Sequence, residues 1–260
     1  MRDRKDSLSK VLLRLCVFVV VLLPLAGCVS TSPDASPDDE SYEQKNLEIA
    51  YGFLNYGYPQ KAITRLEKIF ERNSRSYRAY GLLGVVYQQQ GEYALAEKNF
   101  EKALDLNSEA SDIRNNYGTL LFETGRYGEA EEAFEEVTQD IYYDNRSRAF
   151  ENLGFVALKQ GEKSKAEERF SRALRLQPNL PGSSLELARI YFSKGYYPEA
   201  FKYYQQFDVY GQQTPDSLWL GIRVARAVDQ MPLAVQYAST LSKLYPGSDE
   251  YREYRRRYND

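Results

Sequence analysis

Alanine recurs at Ala62, Ala96, Ala130, Ala166 and Ala200, at spacings of 34, 34, 36 and 34 residues. Glycine keeps the same beat at Gly84, Gly118 and Gly154, and each is followed seven residues later by Gly91, Gly125 or Gly161. A period of this length constrains the fold more than any composition. A unit so short cannot bury a core alone, so successive units must stack and share one.

Within a unit the spacing is that of two helices. Tyr80, Leu83, Gly84 and Tyr87 lie at i, i+3, i+4 and i+7, one face of a helix. Gly91 permits the left-handed turn that ends it. Ala96, Phe100 and Ala103 then share a face of the next helix, with small Gly84 and Ala96 letting the pair approach and Phe100 filling the space between. The scheme returns in the third unit (Tyr117, Gly118, Leu121, Gly125, Ala130, Phe134) and the fourth (Phe150, Gly154, Gly161, Ala166, Phe170), with two extra residues expected within 138–145. The first unit is Ile49, Ala50, Phe53, Gly57, Ala62 and Leu66, and the fifth Leu187, Ala188, Gly195, Ala200 and Tyr204. The sixth, aligned on Leu220 and Gly221, replaces the turn glycine with the 229–232 stretch.

This period with two helices per unit resembles the tetratricopeptide repeat. The expected fold is all-α: a right-handed superhelical solenoid of about six such repeats, with a C-terminal capping helix. In 249–260, Tyr251, Tyr254 and Tyr258 share one face and Arg252, Arg255, Arg256 and Arg257 cover the others. That suits a polar cap on a last repeat with no further neighbour; the other reading is a basic docking patch.

The N-terminus reads as an address. Arg2, Arg4, Lys5 and Lys10 precede an apolar run over 15–25, shorter than the ~20 residues of a transmembrane helix. The run ends in Leu25-Ala26-Gly27-Cys28, which resembles a bacterial lipobox. The resemblance implies cleavage before Cys28 and its acylation, and Val29 in place of Asp favours the outer membrane. The expected organisation is a signal peptide (1–27), an acylated flexible tether rich in Ser, Pro and Asp (28–42), and the repeat domain (43–260).

Several chemistries have no residues to carry them. The chain has no histidine, and its two cysteines are Cys16 and Cys28. Neither a zinc set, a Gly-rich phosphate loop nor a nucleophile motif is present. No catalytic, cofactor or metal residue is assigned and no small-molecule substrate is expected. A net charge of −3 disfavours nucleic acid. The expectation is a protein that binds protein.

In tetratricopeptide proteins the first helices of successive units line the concave face. The positions off the packing face there are Leu47, Tyr51 and Leu54; Val85 and Gln88; Asn115, Thr119 and Phe122; Glu151, Phe155 and Leu158; Leu185, Arg189 and Phe192; and Leu218 and Ile222. Leu47, Tyr51, Leu54, Val85, Phe122, Phe155, Leu158 and Phe192 form an apolar stripe, the expected partner surface. A carboxylate clamp needs Lys, Arg and Asn on this ladder. The corresponding positions, Leu47, Gly81, Asn115, Glu151 and Leu185, offer one such residue, so an apolar helix or strand is the expected ligand.

Lipobox, short tether, six repeats and cap together resemble the type IV pilus biogenesis lipoproteins of the PilF/PilW group, the most telling local stretch being Asp112-Ile113-Arg114-Asn115-Asn116-Tyr117-Gly118 followed by Phe122 and Gly125. The resemblance implies a pilotin, which escorts secretin subunits to the outer membrane and promotes their assembly into the channel of the pilus. Two other clients suit the same architecture: the β-barrel assembly apparatus, and peptidoglycan enzymes or proteases recruited by an adaptor.

Overall fold

The computed structural model describes residues 37–258. The expected signal peptide, Cys28 and the first part of the tether lie outside them. Among the described residues there are thirteen helices and no strand. The first helices of the six units are α1 (Pro37–Asn55), α3 (Tyr77–Gln89), α5 (Ser111–Glu123), α7 (Arg146–Lys159), α9 (Pro181–Ser193) and α11 (Pro215–Ala227). Their partners are α2 (Pro59–Arg72), α4 (Tyr93–Leu106), α6 (Tyr127–Gln139), α8 (Lys163–Leu176), α10 (Tyr197–Tyr210) and α12 (Met231–Leu244), and α13 (Asp249–Tyr258) follows. This is an all-α tetratricopeptide solenoid.

One boundary differs from the expectation. Residues 37–42, assigned to the tether, are already helical. Proline is pre-set for the first position of a helix, and Asp38, Asp39 and Glu40 in the first turn complement its dipole. The charges read as solvating a linker are also a helix-start signal.

The repeated small residues sit at the contact inside each pair. Ala62, Ala96, Ala130, Ala166 and Ala200 are fully buried. A Cβ on Gly84, Gly118 or Gly154 would meet the ring of Phe100, Phe134 or Phe170 at 2.7, 2.7 and 2.5 Å, so glycine is what admits the aromatic. The turn glycines Gly57, Gly91, Gly125, Gly161 and Gly195 all have φ between 75° and 81°. In the sixth unit Asp229 takes that place with φ 58°, a conformation Asp tolerates better than most residues. The linker 140–145 is two residues longer than the four-residue linkers 107–110 and 177–180 flanking it, which places the insertion within 138–145.

Buried residues form four clusters laid end to end, which share α3, α5 and α9. Ion pairs also form within and between units: Arg114–Glu136 at 2.6 Å inside the third, and Lys165–Glu131 at 3.1 Å and Arg169–Glu135 at 3.0 Å from the fourth to the third. Each has a water-exposed partner, so none adds much to stability. Tyr251, Tyr254 and Tyr258 of α13 pack on the last cluster, and α13 contacts both α11 and α12. It therefore stands where the first helix of a seventh unit would.

Candidate functional site

From α3 to α11 each first helix packs backbone to backbone on the next first helix, whereas among the described residues successive second helices stay farther apart and meet only through side chains such as Lys165 with Glu131 and Arg169 with Glu135. The first-helix side is thus the inner side. The helix starts fix its register: Pro181 and Pro215 are 34 residues apart, as are Tyr197 and Met231. The inner face then carries three columns, one residue per unit. They are Leu47, Gly81, Asn115, Glu151, Leu185, Trp219; Tyr51, Val85, Thr119, Phe155, Arg189, Arg223; and Leu54, Gln88, Phe122, Leu158, Phe192, Arg226.

This register corrects the sixth unit. Aligning Gly221 with Ala188 put Leu218 and Ile222 in the groove, but both are buried, at 1% exposed. Trp219, Arg223 and Arg226 occupy the inner positions instead. Gly221 belongs to a different contact, since a Cβ there would meet the Tyr204 hydroxyl oxygen at 2.3 Å.

At the first three units the structure gathers four of the expected residues. Leu47, Tyr51, Leu54 and Val85, with Gly81, Leu82 and Ile113, line a cleft of about 510 Å³ between α1, α3 and α5. Gln44, Glu48, Arg78, Asp112 and Asn116 add polar groups to its lining. Tyr51 is 57% exposed, but Leu54 is only 4% exposed. Leu54 was expected to be free for a ligand. It packs instead with Leu66, Ile69 and Val86 in the first cluster, because the end of α1 is covered by its own partner and by α3 at once. It forms the floor of the cleft rather than a projecting contact.

Next to this cleft lies a polar stretch, a second hollow of about 290 Å³ lined by Val85, Gln88, Gln89, Asn116, Thr119 and Glu123. Gln88 donates to Glu123 at 2.9 Å and Asn152 to Asn115 at 3.3 Å. The stripe is therefore not continuously apolar. Phe122, Phe155, Leu158 and Phe192 are half-buried and partly consumed by packing. Phe122 lies against Tyr127 with centroids 5.5 Å apart, Phe155 edge-on to Phe170 at 5.1 Å, and Phe192 against Tyr197 at 5.4 Å.

Glu151, assigned to the groove ladder, is buried. Its carboxylate accepts the Ser183 N–H at 2.8 Å and the Ser183 hydroxyl at 3.0 Å, and pairs with Arg148 at 3.2 Å. It joins the fourth unit to the fifth and offers nothing to a ligand. A signal for it was present: Pro181-Gly182-Ser183-Ser184 reads as the start of a helix, whose free N–H groups attract a carboxylate.

Comparison with known proteins agrees with this architecture. Models of the tetratricopeptide repeat match residues 75–139 and 109–179, and 47–97 and 152–217. The chain is 37% identical over 246 residues to the type IV pilus assembly protein PilF of Pseudomonas aeruginosa, across 93% of this chain and 97% of that one. The solved structure of P. aeruginosa PilF superposes with a TM-score of 0.82 at 36% identity, over 85% of this chain and 99% of that one. The crystal structure of PilW, described as a widely conserved type IV pilus biogenesis factor, gives 0.69 at 25% identity, over 81% and 97%.

Proposed function

Because the chain belongs to the PilF/PilW family of tetratricopeptide-repeat type IV pilus biogenesis proteins, we propose that it is the pilotin of its system. In this reading Cys28 is acylated and holds the protein at the periplasmic face of the outer membrane, and the inner groove binds secretin subunits and promotes their multimerisation there. The observation that carries the binding step is the cleft walled by Leu47, Tyr51 and Val85. Its first wall combines a mainly exposed aromatic ring with aliphatic neighbours, the residue types that anchor protein interfaces. An apolar segment of the client, helical or extended, fits such a groove better than a charged terminus does.

Affinity purification of the acylated protein from solubilised membranes, with the client identified by mass spectrometry, tests the reading. A secretin supports it. β-Barrel assembly components, or cell-wall hydrolases, in its place would assign the groove to another client.

A further inference from the structure

The groove does not end as it begins. Its three inner columns open on Leu47, Tyr51 and Leu54 and finish on Trp219, Arg223 and Arg226. The guanidinium of Arg223 lies over both Phe192 and Trp219, 5.2 Å from each ring centroid. Arg226 stands over Tyr258 at 4.0 Å, and Arg257 comes within 5.7 Å of Trp219. The Trp219 and Tyr258 rings are 6.1 Å apart, so one aromatic wall serves three cations.

Their compensation is unequal. Arg257 pairs with Glu253 at 2.6 Å, and one unit earlier Arg189 holds Asp216 at 2.6 Å and Glu186 at 3.3 Å. Among the described residues no carboxylate lies within ion-pair distance of Arg223 or Arg226. The Arg223 Nε–H donates to the Trp219 carbonyl at 3.3 Å, which leaves its two terminal nitrogens uncommitted. Burial and the charge of Arg189, with a smaller push from Arg257, pull the Arg223 guanidinium below the usual arginine range, and the more distant Asp216 offsets this only in part. Aromatic faces offset part of that cost and hold the planar forks in place, but they leave the charge itself unneutralised.

We propose that this end of the groove is an anion-binding box for the carboxylates of an acidic polypeptide segment. A planar guanidinium matches a carboxylate with two parallel hydrogen bonds, and the chain already uses that pairing one unit earlier, where both terminal nitrogens of Arg189 donate to Asp216. The box continues the inner face on which Arg189 and Phe192 lie. A groove between helices admits a chain, whereas a bilayer surface would need the cations on an outward face. The proposal stands whatever client occupies the other end.

Trp219 is the only tryptophan, so its emission reports on the box directly. The intact protein is titrated at about 0.15 M salt, where long-range attraction is screened, with hexaglutamate, with hexaglutamine, and with phosphatidylglycerol vesicles. A saturable change with hexaglutamate and none with hexaglutamine is expected. The double substitution Arg223→Gln, Arg226→Gln should weaken binding about tenfold or more, while Arg175→Gln, on exposed α8 surface, leaves it unchanged. Circular dichroism checks that the double variant is folded, and the glutamate–glutamine contrast holds on the unaltered protein in any case. Equal responses to the two peptides, a response to vesicles alone, or unchanged affinity in a folded double variant would overturn the proposal.

Discussion

Glu151 on α7 closes the start of α9: a single carboxylate oxygen accepts both the backbone N–H and the hydroxyl of Ser183, at 2.8 and 3.0 Å. A Cβ on neighbouring Gly182 would come within 2.7 Å of that same oxygen, so the bond depends on a glycine beside it. Removing the acceptor leaves two buried donors unsatisfied. Glu151→Ala should cost about 2–3 kcal/mol in urea unfolding, and Glu151→Gln, which keeps an acceptor oxygen, clearly less. Equal costs for the two would assign the effect to packing instead.

Two glycines on first helices should respond oppositely to alanine. A Cβ at Gly84 would lie 2.7 Å from the Phe100 ring, which is fully buried, so Gly84→Ala should cost about 1–3 kcal/mol. Gly52 has nothing within 4 Å of where its Cβ would stand. Gly52→Ala should stabilise by about 0.5–1 kcal/mol through helix propensity alone. Thermal melts of the two variants decide the sign.

Alkali should weaken the stack through its tyrosines. Burial, followed by donation to Glu97 at 3.0 Å, pushes the Tyr117 phenol from 10.0 up to about 12. Partial burial, followed by donation to Glu167, likewise pushes the Tyr191 phenol up to about 12. Each phenol keeps its proton longer folded than unfolded. Its contribution is fully present below pH 10 and is lost as pH rises through 12. Melting temperature should therefore fall steeply across that interval. Tyr117→Phe, less stable at neutral pH, should show a shallower fall; identical slopes would remove Tyr117 from the account.

The client surface is tested at Tyr51 and Val85 rather than at Leu54. Leu54→Asp would place a charge at a site 4% exposed and would destabilise the first unit whether or not it binds anything. Tyr51→Asp changes a residue 57% exposed and should leave helicity and melting nearly unchanged. If the cleft binds a secretin, heat-stable multimers should fall and monomers rise with Tyr51→Asp, and further with Val85→Asp added. Normal multimers with a folded double variant would exclude this surface.

Cys28→Ala should abolish incorporation of labelled palmitate and release the protein from the outer-membrane fraction, since a multiply acylated anchor is what would hold it there. Palmitate labelling that survives the substitution would contradict the assignment of Cys28.

The scaffold was almost wholly legible in the sequence, because its signals are local and repeated. Small residues at Ala62 to Ala200 mark close helix approach, and glycines at a left-handed turn mark its end. The groove was less legible. A helix wheel divides a helix into a packing face and a free face, but a first helix in this stack is touched by its own partner and by the next first helix. Leu54 was lost to that second contact. Gly221 misled the sixth unit by mimicking the packing glycine one residue out of register, which hid Arg223 and Arg226. Glu151 was assigned to the groove because its partner, an N–H of a helix 32 residues away, leaves no mark in its own neighbourhood.

Four clusters joined through shared helices divide the stack into blocks able to open one at a time, and the apolar cleft is walled mainly by the terminal one. The cluster of α1–α3 is joined to the rest through α3, whereas that of α5–α9 is gripped from both sides. Amide protons of α1 and α2 should exchange through local opening long before those of α7 and α8, at little expense to the remainder. A partner seated in the cleft would therefore do more than occupy a surface. It would slow exchange across the whole first block, and the depth of that protection would measure how much of its binding energy goes into holding the block closed.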